Sequence, residues 1–137
     1  MRIMGLDIGE KRIGIALSDP LGYTSQGLQT LERKDLQGDL QKIADLIKEW
    51  EVSKLVVGLP RNMNGTYGPA TEKVKEFTSQ LTELEPIEVI YWDERLTTVA
   101  AQKTLIQGDM SRKKRKQVVD KIAAVLILQG YLDHNRG

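Results

Sequence analysis

The start of the chain indicates the fold most clearly, through residues 2–19, which read RIMGLDIGEKRIGIALSD. Two short runs rich in Ile and Leu, Arg2 to Ile8 and Ile13 to Asp19, flank the polar segment Gly9-Glu10-Lys11-Arg12. Two such runs separated by a short glycine-containing segment are typical of a β-hairpin. The sequence therefore predicts that the chain begins with two antiparallel strands.

Beyond this hairpin, the spacing of apolar residues predicts one more antiparallel strand and then alternating helices and strands. The predicted elements are a strand from Gln26 to Glu32, a helix from Asp35 to about Trp50, a strand from Lys54 to Leu59, a helix from Pro69 or Ala70 to before Pro86, a strand from Ile87 to Trp92, a short helix from Thr97 or Thr98 to about Gln107, and a last helix from about Lys114 to Asp133. This order predicts an α/β fold with a mixed five-stranded sheet, three antiparallel strands followed by parallel β-α-β units, and helices on both faces.

Length and composition favour a single folded domain over residues 1–137, with 40% apolar and 28% charged residues. The longest apolar run, Ile122 to Leu128, spans seven residues, against about 20 for a membrane-crossing helix. Charged residues follow closely after Met1, as Asp7, Glu10 and Lys11, without an apolar leader. We therefore expect a cytoplasmic protein without a membrane partner.

The inventory of reactive residues narrows the possible chemistry. The chain has no cysteine and one histidine, His134, which excludes thiolate nucleophiles and argues against histidine acid–base catalysis. The formal net charge is +1, yet residues 110–121 carry six cations against Asp120 alone, a sum of +5, which leaves −4 for the rest. Catalysis must therefore rely on carboxylates, lysines or metals, and the basic segment suggests a polyanionic partner.

Three acidic residues occupy unusual places. Asp7 lies near the end of the first strand, where alternation predicts that it faces away from its apolar neighbours Leu6 and Ile8. Glu94 follows the last predicted strand, and Asp120 lies among apolar residues of the last helix. Each has a simpler interpretation. Asp7 suits a cap of the glycine turn, Glu94 suits a solvated strand end beside Arg95, and Asp120 suits the helix dipole. Taken singly, none of the three decides between structure and function.

Taken together, the three carboxylates predict a metal site. Strand ends at one end of an α/β sheet collect ligand sites, and carboxylates brought close together repel unless a hard cation such as Mg²⁺ or Mn²⁺ neutralises them. Two such ions about 3.5–4 Å apart promote phosphodiester hydrolysis without histidine or cysteine. We therefore predict Asp7, Glu94 and Asp120 as metal ligands and catalytic residues.

Basic and amide side chains near these acids are predicted to contact phosphates. The loop Pro60 to Pro69 exceeds the usual length of a connection and combines glycines, amides and one arginine. The run from Arg112 to Lys116 suits nonspecific backbone binding, and a solvated helix start or a flexible tether is the alternative, which is compatible with such binding. The candidate nucleic-acid contacts are Lys11, Arg12, Arg61, Asn62, Arg95, Arg112, Lys113, Lys114, Arg115 and Lys116.

The sequence closely resembles the YqgF/RuvX family of bacterial Holliday-junction resolvases, in the ribonuclease H-like superfamily. The resemblance spans almost the whole chain and is carried by Gly5-Leu6-Asp7-Ile8-Gly9 with Lys11-Arg12-Ile13-Gly14, Val57-Gly58-Leu59-Pro60 with Asn62-Met63 and Gly65-Thr66, Asp93-Glu94-Arg95-Leu96-Thr97-Thr98, and Asp120 with Ala123-Ala124. Asp7, Glu94 and Asp120 match the family's three acidic positions, which implies Mg²⁺ or Mn²⁺. Lys121 stands where a small residue is common in relatives.

The resemblance implies a cytoplasmic nuclease that processes the 5′ end of the pre-16S ribosomal RNA, in contact with ribosomal particles. A resolvase acting on branched DNA is the alternative, and it would need two sites, hence a homodimer. The motifs do not distinguish RNA from DNA, nor a monomer from a dimer.

Two further classes of function compete with a nuclease. A non-catalytic RNA- or ribosome-binding factor would keep the fold and the basic surface but use the acids structurally. Metal binding that depends on the acids separates the two hypotheses. A nucleotide phosphotransferase is suggested by the strand-Asp-x-Gly hairpin, but a chain of 137 residues leaves no second lobe to close over a nucleotide.

Overall fold

The computed structural model describes residues 2–60, 68–93 and 112–136, without the side chains of residues 112–120 and 136. The strands are β1 (Arg2–Ile8), β2 (Arg12–Ser18), β3 (Ser25–Glu32), β4 (Val52–Leu59) and β5 (Glu88–Asp93), and the helices are α1 (Leu36–Glu49), α2 (Pro69–Leu84) and α3 (Arg112–Arg136). Each element predicted within these ranges is confirmed, with ends that differ by a few residues. The short helix predicted from Thr97 or Thr98 to about Gln107 lies outside the described residues.

The five strands form one mixed sheet in the order β3-β2-β1-β4-β5. β1 pairs antiparallel with β2, and β2 with β3, whereas β1 pairs parallel with β4, and β4 with β5. The predicted sheet is thus confirmed. Since β1, β4 and β5 run in one direction, they end together at Ile8, Leu59 and Asp93, which we call the carboxyl end of the sheet.

Helices cover both faces of the sheet, as the sequence predicts. α1 and α2 pack on one face, where the buried core includes Leu6, Ile43 and Leu81. α3 packs on the other face, against a core that includes Ala16 and Val56. α1 begins where expected, because the Asp35 side chain accepts a hydrogen bond from the Gly38 N–H at 2.7 Å. Within the described ranges, every helix is too short or too polar to cross a membrane.

The close approach of α3 to the sheet depends on a glycine. A Cβ atom added at Gly5 would lie 2.7 Å from the Leu128 Cβ and 3.0 Å from the Ala124 carbonyl oxygen. Because neither atom is the end of a flexible side chain, a larger residue at this position would push α3 outward. Gly5 therefore sets the distance between α3 and β1.

The direction of α3 follows from two contacts with β3. Lys121 lies beside Gly27, and the Gln129 Oε1 accepts a hydrogen bond from the Ser25 N–H at 3.0 Å. α3 therefore runs antiparallel to β3. β3 runs in the same direction as β1, so the N-terminal part of α3 points toward the carboxyl end of the sheet.

Candidate active site

Asp7 is the penultimate residue of β1 and lies on the face of the sheet that α3 covers. Its neighbour Leu6 belongs to the core under α1 and α2, and Ile8 packs against the same core. Because side chains alternate along a strand, Asp7 shares the opposite face with Gly5. Asp7 is 8% exposed, and it has a polar partner or an electrostatic contact. The predicted orientation of Asp7, away from its apolar neighbours, is confirmed.

The neighbouring strand β4 carries no side chain at the level of Asp7. Leu6 pairs with Val57 in the parallel register, so the next residue of β4, Gly58, lies level with Asp7. Gly58 in turn pairs with Trp92 of β5. Because Gly58 has no side chain, no side chain of β4 stands between Asp7 and Trp92 at this level.

The turn after Asp7 is closed by its own backbone. The Gly9 N–H donates to the Arg12 carbonyl at 2.9 Å, and a Cβ atom at Gly9 would lie 2.8 Å from that oxygen. Only glycine therefore fits this closure without a shift of the backbone. Lys11 is exposed in this turn, and the Arg12 Nε lies 3.0 Å from the Glu32 Oε1. The structure places both predicted phosphate contacts at the carboxyl end of the sheet.

β5 ends on the far side of β4 from Asp7. Trp92 contacts the rings of Tyr131 and His134 edge to face, with centroids 6.3 and 5.7 Å away. Its indole Nε1 is buried and makes no hydrogen bond within the part of the chain that the structure describes. Asp93 is the last residue of β5, and Glu94, the residue that follows, lies outside the described residues.

The backbone of residue 120 lies in α3, one helical turn before Ala124, which contacts Gly5. One turn of helix advances about 5–6 Å, and the two residues from Gly5 to Asp7 advance about 7 Å along β1. Both steps lead toward the carboxyl end of the sheet. The backbone of α3 at Asp120 therefore passes over the region of Asp7.

For several other predicted site residues, the structure describes either nothing or the backbone alone. Arg61, Asn62 and Arg95 lie outside the described residues, as do the side chains of Asp120 and of residues 112–116. Among the described side chains, no three histidines or carboxylates lie close enough to share a metal ion. Since Glu94 and the Asp120 side chain are not among them, the three-carboxylate site remains a prediction.

Sequence reasoning missed a polar cluster at this end of the sheet, formed by Arg33 and Asp39. Asp39 is 3% exposed, and the Arg33 Nε lies 3.5 Å from its Oδ2. One signal was available, because Asp39 lies four residues before Ile43, on the apolar stripe of α1. An acid on such a stripe indicates a buried carboxylate that needs a cationic partner.

Comparison with solved structures supports the fold. RuvC of Thermus thermophilus, solved in complex with a Holliday junction substrate, matches with a TM-score of 0.63 and 9% identity, over 100% of this chain and 97% of that one. A fowlpox virus Holliday junction resolvase matches with a TM-score of 0.56 and 16% identity, over 98% and 99%. At these identities the likeness concerns the fold alone, which is the ribonuclease H-like fold.

Comparison with curated proteins adds close sequence relatives. A protein of Heliobacterium modesticaldum, named as a candidate pre-16S rRNA nuclease, is 62% identical over 133 residues, covering 97% of this chain and 89% of the relative. A Clostridium tetani protein of the same name is 59% identical, covering 97% and 96%. The fold and these relatives define the class of protein, a nuclease with a ribonuclease H-like fold.

Within that class, the chain belongs to the RuvX family. The family's sequence model, described as Holliday junction resolvase, matches residues 1–134.

Proposed function

We propose that this protein hydrolyses phosphodiester bonds of precursor 16S ribosomal RNA with the help of a divalent metal ion held by Asp7, Glu94 and Asp120. One observation carries the proposal. A buried aspartate lies at the carboxyl end of the central strand, and the helix that carries Asp120 passes over it. Ligand sites of α/β sheets gather at this end.

Asp7, the predicted ligand whose side chain the structure describes, suits a hard cation. Asp7 offers carboxylate oxygens, the ligand type that Mg²⁺ and Mn²⁺ prefer, and the residue level with it on β4 is Gly58, which has no side chain. Glu94 follows β5 directly, and strand alternation would give it the same face as Trp92. Bound there, the metal would lower the pKa of a water and stabilise charge on the phosphate.

Phosphate contacts would come from basic and amide residues around this end. Lys11 and Arg12 belong to the turn after Asp7, and α3 begins at Arg112, well before its contact with Gly5. The proposed contacts with the nucleic-acid backbone are Lys11, Arg12, Arg61, Asn62, Arg95, Arg112, Lys113, Lys114, Arg115 and Lys116. Such contacts bind a strand without reading its sequence, so affinity should fall steeply with salt.

RNA is the substrate we favour, because the close relatives carry the pre-16S rRNA nuclease name. Branched DNA is the second candidate, favoured by the description of the family model. We place the protein in the cytoplasm, acting on precursor RNA or on ribosomal particles as a monomer or homodimer. Cleavage of a labelled precursor RNA with excess unlabelled four-way DNA junction as competitor compares the two substrates directly.

The decisive test compares wild type with Asp7→Asn on a labelled precursor RNA fragment, in Mn²⁺, in Mg²⁺ and in EDTA. Asparagine keeps the shape of the side chain but removes the charge that a cation needs, so Asp7→Asn should abolish cleavage. Asp45→Asn is the matched control, because Asp45 is an exposed aspartate on α1, across the sheet from α3. Full metal-dependent cleavage by Asp7→Asn would remove Asp7 from the site.

Metal binding is measured independently as a shift of the thermal midpoint. A cation that binds only the folded protein stabilises it by about 2.7 kcal/mol at a concentration of 100 times Kd. We expect Mn²⁺ to raise the midpoint of wild type and of Asp45→Asn, and to leave that of Asp7→Asn unchanged. The same shift in all three proteins would favour a non-catalytic binding factor whose acids are structural.

A further inference from the structure

We propose that Arg33, held in place by Asp39, is a positioning residue that fixes the turn after Asp7 and thereby the Asp7 carboxylate. The inference rests on the proposed role of Asp7 in the active site. Arg33 follows β3 directly and lies 26 residues beyond Asp7 in the chain. Its contacts connect the turn at the carboxyl end of the sheet to both helices of the opposite face.

Arg33 holds the turn through two bonds. Its Nη1 donates to the Gly9 carbonyl at 2.8 Å, and its backbone N–H donates to the Lys11 carbonyl at 2.9 Å. Gly9 and Lys11 are the first and third residues after β1. One arginine therefore binds two carbonyls of the segment that follows Asp7.

The guanidinium group of Arg33 is itself fixed from two sides. Its Nε lies 3.5 Å from the Asp39 Oδ2, and its Cζ lies 5.1 Å from the centre of the Phe77 ring in α2. Contacts of this kind restrict a planar guanidinium to one orientation, which an ammonium group would not reproduce. In this orientation the Nη1 atom of Arg33 reaches the Gly9 carbonyl.

Asp39 is buried, and its contact with Arg33 balances its charge. It lies in the first turn of α1, its Oδ1 accepts the Lys34 N–H at 3.2 Å, and its side chain is 5% exposed. A buried carboxylate is stable only when it is paired and hydrogen-bonded. Asp39 therefore anchors both Arg33 and the residue after it to α1.

The reason for such an anchor is the position of Asp7 near a strand end. Beyond Asp7, the pair Ile8 and Ile13 is the last of the β1–β2 ladder, and strand ends open more readily than strand centres. A displacement of about 1 Å at a reacting group costs about 10²-fold in rate. Fixing the carbonyl of Gly9 limits how far the backbone at Asp7 moves.

The test measures kcat and KM for Arg33→Ala and Arg33→Lys on the labelled precursor RNA. We expect kcat to fall by roughly 10- to 100-fold in both variants, because lysine lacks the planar group that binds Gly9 and Asp39 together. KM for RNA should change little. Added guanidinium ion should restore part of the activity of Arg33→Ala and none of the activity of Asp7→Asn.

Arg2→Ala is the matched control. Arg2 also donates to a carbonyl, that of Ser18 at 3.0 Å, and its Cζ also lies over an aromatic ring, that of Trp50 at 5.4 Å. It makes these contacts at the start of β1, at the opposite end of the sheet. We expect its kcat to equal that of wild type at any temperature at which it is folded.

A double variant tests whether Asp39 acts through Arg33. Asp39→Asn should lower kcat in the same direction as Arg33→Ala, and the double variant should lose no more than Arg33→Ala alone, since residues that act as one unit are not additive. Thermal midpoints of all variants are measured first, so that rates compare folded proteins.

The outcomes separate this inference from the proposed function. Inactive Asp7→Asn with fully active Arg33→Ala would overturn the positioning role and leave the metal site standing. An increase of KM with unchanged kcat in Arg33→Ala would also overturn it, because Arg33 would then serve RNA binding, directly or through Lys11 and Arg12 of the same turn, and not the Asp7 carboxylate. Active Asp7→Asn would instead overturn the proposed role of Asp7 as a metal ligand, whatever Arg33 does.

Discussion

On one face of the sheet, α1 and α2 pack through large side chains such as Ile43, Phe77 and Leu81, whereas on the other face α3 lies against Gly5 through Ala124 and Leu128. The first arrangement removes much apolar surface from water and dominates stability. The second brings a helix backbone next to a strand that carries a buried aspartate. The comparison suggests that stability and chemistry are divided between the faces, with Arg33 as the connection.

The largest effect on stability should come from the face of α1 and α2. Leu81 is fully buried in α2, and Leu81→Ala should lower the free energy of unfolding by about 2–5 kcal/mol, since it leaves a cavity. Its kcat, measured below the thermal midpoint, should match that of wild type. A large loss of kcat in the folded variant would show that the core under α1 and α2 shapes the active site beyond the contacts of Arg33.

Gly5→Ala should affect both stability and activity. The added Cβ meets the Leu128 Cβ and the Ala124 carbonyl, so α3 must move, at a cost of about 1–3 kcal/mol. Because the same helix carries Asp120, we expect kcat to fall as well. Denaturant unfolding and cleavage assays measure the two effects separately.

Gly27→Ala is the matched control for Gly5→Ala. A Cβ there would lie 2.6 Å from the Lys121 Cγ, and because Lys121 is exposed, we expect its side chain to relieve this contact by rotating about the Cα–Cβ bond. We expect a change in unfolding free energy of less than about 1 kcal/mol and normal cleavage. Equal losses in the two variants would contradict the idea that the approach of α3 to β1 matters for catalysis.

The smallest effect should come from the turn between β2 and β3, which the Gln129 side chain of α3 contacts at the Tyr23 carbonyl, 3.2 Å away. Hydrogen bonds from the Thr24 and Tyr23 N–H groups hold the pKa of Asp19 below its ordinary value. A lowered pKa in the folded state contributes stability at higher pH, which is lost as the pH falls below about 4. Thermal midpoints between about pH 2 and 6 should therefore fall less steeply for Asp19→Asn than for wild type. Identical curves would show that these bonds contribute no pH-dependent stability.

Much of the fold was predictable because local patterns and tertiary contacts agree. The alternation around Asp7 indicated its face, and the spacing from Leu40 to Ile47 indicated a helix that begins near Asp35, which is α1. The contact between Arg33 and Asp39 was not predicted, since it joins a residue after β3 to a residue of α1 through space. Its one local trace is an acid on the apolar stripe of α1.

By itself, the sequence determined the order of the elements, the face on which Asp7 lies and the absence of cysteine chemistry, because these depend on residue type and on the periods of helices and strands. Only the tertiary structure decided that α3 runs against the direction of β3, that Gly5 admits its backbone, and that Arg33 reaches Gly9. These features depend on which surfaces meet in the folded protein. The periodicity of apolar residues within a segment does not show which distant segments pack against it.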